Sequence, residues 1–178
     1  MPRPRRVYYS ASRCNGGDRE FNRSVLSMIH DLGYSTWFPQ EDASLPSDLI
    51  ENNEMSLVEA HEHIFRLSIR QLQSADLVVL VVDGQAPDAD ASIAAGIAWA
   101  MNKPVVALRT DIDDEAGGRN TMVDGIVSDV AKSVEELRSL LAADTIVDLT
   151  GEEPVVTVGL PTETAPELSS DPAPDPGN

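Results

Sequence analysis

The sequence predicts a three-layer α/β domain built on a parallel sheet in the flavodoxin-like order. Three observations carry that prediction. Val78 to Val82 is a near-continuous apolar run, as expected of a strand covered on both faces. Ala91 to Met101 is almost entirely Ala, Ile, Gly and Trp, too long and too poor in β-branched residues for a strand, and so reads as a helix. Lys103-Pro104 then stops that helix, and Val105 to Leu108 opens the next strand, which completes a parallel βαβ unit. In such sheets ligands bind where strands end and helices begin. The turn at that point is Pro87-Asp88-Ala89-Asp90, so two carboxylates stand at a helix entrance beside the expected crevice.

The other elements follow in chain order. Arg6 to Ser10 is a short β-type run and the expected first strand. Arg19 to Leu32 follows as a helix with Phe21, Val25, Met28, Ile29 and Leu32 on one face, and Gly33 stops it. Tyr34 to Phe38 is a second strand ended by Pro39, and the polar stretch from Gln40 to Met55 reads as a loop over the crevice mouth. Ser56 to Gln73 is helical, with Leu57, His61, Ile64, Phe65, Ile69 and Leu72 near one face. After the fourth strand, Asp111 to Arg119 is an acidic loop, and Asn120 to Val127 is open between strand and helix. Ser133 to Leu141 is a helix opened by a capping box of Ser133 with Glu136, and Ile146 to Leu149 fits a final edge strand. Trp99 and Met101 read as core. The expected division is a domain over residues 1–150 and an acidic, Pro-rich, disordered tail over 151–178.

Composition sets the context. There are 30 acidic side chains against 13 basic, a formal charge of −17, and the only lysines are Lys103 and Lys132. Such a surface repels nucleic acid, which removes DNA and RNA from the expected partners. The acidity is spread along the chain, which favours adaptation to a high-salt cytoplasm over a patch for a cationic partner. Cys14 is the single cysteine, so no intramolecular disulfide can form and an ordinary thiol in a reducing cytoplasm is expected. No apolar run approaches the roughly 20 residues of a membrane span, so no membrane partner is expected. His61 and His63 lie two residues apart, which puts them on different helix faces without a third ligand, so no metal is expected. No G-x-G-x-x-G follows the first strand and no phosphate-loop motif occurs, which disfavours dinucleotides, and no cofactor is implied.

The ordered set of short motifs resembles the nucleoside 2-deoxyribosyltransferase family and its relatives that hydrolyse deoxynucleotide N-glycosidic bonds. The matching pieces are Val7-Tyr8, Arg19-Glu20-Phe21-Asn22, Phe38-Pro39-Gln40-Glu41-Asp42, Ile64-Phe65 and Ser74-Ala75-Asp76-Leu77-Val78-Val79. Pro87-Asp88, Gly96 with Ala98, Lys103-Pro104-Val105, Arg109-Thr110-Asp111 and Asn120-Thr121-Met122 complete them, over roughly residues 6–142. The resemblance implies displacement at the anomeric carbon of a deoxyribose by a glutamate, with a nucleobase or water resolving the glycosyl ester.

The chain departs from that pattern. The glutamate position carries Ala94, a second acidic position carries Ser68, and the glycine after the first strand is Ala11 or a shifted Ser10. Asp90 stands one helical turn before Ala94, about 6 Å along the axis, and with Asp88 supplies the candidate catalytic carboxylates. By the same resemblance Tyr8 approaches the sugar and Asp88 holds a sugar hydroxyl. Ser10, Ser68 and Ser92 join the substrate-binding set, and Asn120 with Met122 reaches a neighbouring subunit's site, which implies a homo-oligomer. Each residue also has a structural reading: Tyr8 as core, Asp88 and Asp90 as favoured helix-terminal carboxylates, Asn120 as a turn residue. Two functions stay open at this point: cleavage or transfer at the N-glycosidic bond of a nucleoside or nucleotide, and a nucleotide-binding module without catalysis.

Overall fold

The computed structural model describes residues 5–11, 16–43, 45–53, 55–82, 89–110 and 120–143. The expectations for Asp88, the 111–119 loop, the 146–149 strand and the 151–178 tail lie outside them. The first half runs β1 (Arg6–Ser10), α1 (Gly16–Asp31), β2 (Ser35–Trp37), α2 (Pro39–Asp42), α3 (Pro46–Asn53) and α4 (Leu57–Ser74). The second half runs β3 (Leu77–Val81), α5 (Ala89–Ala100), β4 (Val105–Leu108), α6 (Thr121–Ile126), β5 (Asp129–Ala131) and α7 (Val134–Ala142). All neighbouring strands pair in parallel, in the order β2-β1-β3-β4-β5.

Strand alternation builds the two apolar layers, because successive side chains point to opposite faces. Val7, Tyr9, Leu77, Val79, Val106 and Leu108 face Val25 and Ile29 of α1 and Leu137 and Leu141 of α7. Tyr8, Val78, Leu80, Val105 and Ala107 face the other way, onto Leu72 of α4 and the alanine face of α5. Ala91, Ala94, Ala95 and Ala98 are buried there. Trp99, expected in the core, sits on the opposite side of α5 and is 40% exposed. The alanine stripe faces the sheet with Ile97 partly buried beside it, and Ile93, 59% exposed, turns outward with Trp99.

Local chemistry explains the element boundaries. Ser56 caps α4 and exchanges bonds with Glu59 as a complete capping box, which holds the Glu59 carboxyl below its ordinary range. At α7, Ser133 accepts from the Glu136 amide at 3.1 Å, but the Glu136 carboxylate accepts from the Lys132 amide instead. The box expected there is therefore displaced by one residue. The stretch expected to be a loop after β2 contains two short helices. Each opens with a proline, which fits the first turn because its missing N–H would be unpaired there anyway. Asn120 resolves the ambiguous segment: its side chain accepts from the Met122 and Val123 amides and starts α6.

The layering fixes where substitution is costly. Leu80→Ala, at a fully buried position between sheet and helices, is expected to destabilise the protein by about 2–5 kcal/mol in denaturant unfolding. Val58→Ala, 74% exposed on α4, should shift it by less than about 0.5 kcal/mol.

Candidate functional site

The chain leaves β1 through α1 on one face of the sheet and returns to β3 through α4 on the other. The two connections diverge at the carboxyl ends of β1 and β3, which leaves a crevice at this switch in strand order. A cavity of about 740 Å³ opens there. That volume lies within the range of small-molecule sites.

One wall is built by β1, α4 and α5. Tyr8 and Ser10 project from the same face of β1, Ser68 enters from α4, and Asp90 comes from the first turn of α5. The Tyr8 ring packs against Trp37 with centroids 5.0 Å apart. Burial pushes its phenol from the ordinary 10.0 up to about 12, the nearby Ser68 hydroxyl opposes the rise, and the Asp90 carboxylate adds to it. Tyr8 is thus a neutral hydrogen-bonding group at physiological pH and not a phenolate nucleophile.

The facing wall is built by α1 and α2. Arg19, Asn22 and Arg23 have i, i+3, i+4 spacing, so they share one helix face and all reach the cavity. Asn22 is buried, and its Oδ1 accepts the Tyr9 hydroxyl at 2.8 Å. Gln40 donates from Nε2 to the Ala11 carbonyl at 2.6 Å, tying α2 to the end of β1. Glu41 meets the Arg23 Nε at 3.6 Å, with both side chains largely in solvent. From α4, His61, Phe65 and Ser68 share a face at i, i+4, i+7, and the Phe65 ring is 59% exposed at the rim.

The structure brings Tyr8, Ser10, Ser68 and Asp90 of the expected set to one cavity. Ser92, Asn120 and Met122 do not line it. Ser92 is half-buried on α5, Asn120 is engaged as the α6 cap, and Met122 is 79% exposed. Ala94 is packed in the core layer, one turn beyond the cavity wall. Arg19, Asn22, Arg23, Gln40, Glu41, His61 and Phe65 are wall residues that reading the sequence did not assign. The available signal was the helical spacing of 19, 22 and 23 and of 61, 65 and 68. Among the described residues no group of three His, Cys, Asp or Glu could hold a metal, and no helix is long and apolar enough to cross a membrane.

A parallel α/β domain with a cavity at its strand switch has the architecture of a small-molecule site. The family model for nucleoside 2-deoxyribosyltransferase matches residues 7–154, and the chain belongs to that family. A conserved protein from Enterococcus faecalis V583 superposes with a TM-score of 0.63 at 20% identity, over 79% of this chain and 98% of that one. A 2-deoxyribosyltransferase from Bacillus psychrosaccharolyticus superposes with a TM-score of 0.62 at 14% identity, over 75% of this chain and 90% of that one. A CMP N-glycosidase from Clostridium botulinum gives 0.51 at 14% identity, over 77% and 98%. No curated protein matches the chain in sequence. At these identities the structural likenesses establish the fold.

The Tyr8 environment has a spectroscopic consequence. Absorbance titration is expected to show a tyrosine step near pH 12 that Tyr8→Phe removes, that Asp90→Asn lowers and that Ser68→Ala raises. The sign for stability follows: the folded chain keeps this proton through pH 10 to 12 while the unfolded chain loses it. The contribution is therefore complete below pH 10.0 and lost as pH rises to about 12.

Proposed function

We propose that this protein hydrolyses the N-glycosidic bond of a nucleoside or nucleotide, with Asp90 as the general base. The observation that carries the proposal is the Asp90 carboxylate on the same cavity wall as Tyr8 and Ser68, in a member of the nucleoside 2-deoxyribosyltransferase family. Two proteins of similar fold are named as a 2-deoxyribosyltransferase and a CMP N-glycosidase, which agrees with chemistry at this bond. In the reaction a water oxygen attacks the anomeric carbon, Asp90 takes the water's proton, and the N-glycosidic bond breaks with its electron pair leaving on the nucleobase. Tyr8, neutral up to about pH 12, orients the sugar by hydrogen bonding. Ser10 and Ser68 serve the same purpose, with Asp88 as a second carboxylate at the turn.

Direct attack by water suits this chain better than a two-step transfer. A covalent intermediate needs a carboxylate nucleophile at the reacting carbon, and the position that resembles the family's glutamate is the buried Ala94. The same alanine favours the second reading, a nucleotide-binding module without turnover. Phe65, an exposed aromatic at the rim, would serve either reading as a stacking surface for the base. We also propose a homo-oligomer in which Asn120 and Met122 of one protomer approach a neighbour's cavity, since both are exposed away from their own. The proposed location is the cytoplasm.

Incubation with the deoxynucleosides and deoxynucleotides, followed by chromatography of free base, tests catalysis. Base release is expected from the native chain, reduced by about 10²–10⁴-fold in Asp90→Asn. Release that Asp90→Asn leaves untouched would remove Asp90 from the mechanism. Binding in calorimetry without any release would establish the module instead.

A further inference from the structure

We infer that the α1 end of the cavity is a subsite for a phosphate monoester, so that the molecule taken there is a nucleotide rather than a free nucleoside. The inference rests on the reading of the cavity as a nucleoside site and adds the chemical class of its ligand.

Two guanidinium groups on one cavity are conspicuous in a chain of net charge −17. Arg19 and Arg23 are one turn apart in the first two turns of α1 and converge on the same space. Arg19 has no ion-pair partner among the described residues. Arg23 meets Glu41 only through Nε at 3.6 Å, so its two Nη groups are available. Among the described residues lining this end, two guanidiniums stand against one carboxylate, Glu41.

Between the arginines lies Asn22, only 4% exposed. The Tyr9 hydroxyl occupies its Oδ1, and the amide NH₂ of this cavity-lining residue has no partner among the described residues. No buried side-chain nitrogen or oxygen in the described residues lacks a partner, so this NH₂ is reached from the open space of the cavity. The available groups are therefore guanidinium and amide NH₂ donors, with the positive end of the α1 dipole behind them. A neutral sugar or base presents donors as well as acceptors and would leave much of this set unused. A phosphate presents only acceptors and negative charge, which matches it.

The opposite wall makes the same selection in reverse. Asp90 repels an anion and accepts from hydroxyl groups or water. A nucleotide can thus enter in one sense, with its phosphate at α1 and its sugar at Asp90.

Calorimetric titration of the full chain with each 2-deoxynucleoside, its 5′-monophosphate and inorganic phosphate tests the subsite. The monophosphate is expected to bind about tenfold or more tightly than its nucleoside, the yield of one or more charge-assisted hydrogen bonds. The double variant Arg19→Gln, Arg23→Gln should bring that ratio within about threefold, as expected when charge-assisted bonds become neutral ones. Asn22→Asp keeps the acceptor for Tyr9 and should also collapse the ratio by replacing a donor with a negative charge. Unchanged thermal unfolding midpoints confirm that the variants fold. Equal affinity for nucleoside and monophosphate overturns the subsite, as does a ratio that survives the double variant, or inorganic phosphate binding as tightly as the nucleotide. The free-base assay keeps this separate from the hydrolysis reading. Equal base release from nucleoside and monophosphate leaves hydrolysis standing and removes the subsite, whereas arginine-dependent monophosphate binding without base release does the reverse.

Discussion

Parallel pairing of β1 with both β2 and β3 is the constraint on which the site depends. A strand flanked in parallel on both sides needs one crossover over each face of the sheet, here α1 and α4. The crossovers separate at the carboxyl end of β1, and no side chain of the sheet can close the gap they leave. Alternation along the strand then divides the labour. Tyr9 goes to the α1 layer and fixes Asn22, while Tyr8 goes to the α4 and α5 layer and meets Ser68 and Asp90. Two neighbouring tyrosines thereby position opposite walls of one cavity.

The alanine face of α5 has a chemical consequence as well as a packing one. Ala91, Ala94, Ala95 and Ala98 let the helix lie close against β3 and β4, with each of the four almost fully buried. A carboxylate at Ala94 would have to be desolvated in that layer unless the helix moved outward. Asp90, one turn earlier, lies at the open end where water can reach it. The geometry of this chain therefore suits a carboxylate acting through water at the helix entrance better than one attacking from within the layer. The raised Tyr8 phenol agrees with that arrangement, since a neutral hydroxyl beside a carboxylate adds no second negative charge to the wall.

Long patterned stretches of the sequence were legible because their periodicity repeats. The VVLVV run, the Ser56-capped helix and the Lys103-Pro104 stop all stand close to where they were expected, within a residue or two. β5 escaped because three residues, Asp129 to Ala131, offer too short a pattern to register, and only pairing with β4 defines them. The short helices after β2 escaped because their prolines read as breaks, although a proline in the first turn starts a helix as readily as it ends one. At the site, Asp90 could be singled out from the helix entrance, and Tyr8 only from the family resemblance. Arg19, Asn22 and Arg23 could not, because a polar helix face looks the same whether it meets solvent or a cavity. The distinction is made by α2, whose Gln40 ties to Ala11 and encloses that face.

The acidic surface and an anionic ligand are compatible on physical grounds. Repulsion from dispersed carboxylates acts through solvent, where at 0.15 M salt the Debye length is about 8 Å and at 1 M about 3 Å. A phosphate at the α1 end of the cavity would meet the guanidiniums of Arg19 and Arg23 at close range. Contacts at that range in a partly enclosed space are screened far less than interactions across the surface. High salt would therefore weaken the general repulsion more than the local attraction. On the proposed reading, the surface charge would set how fast an anion approaches and the α1 wall whether it stays.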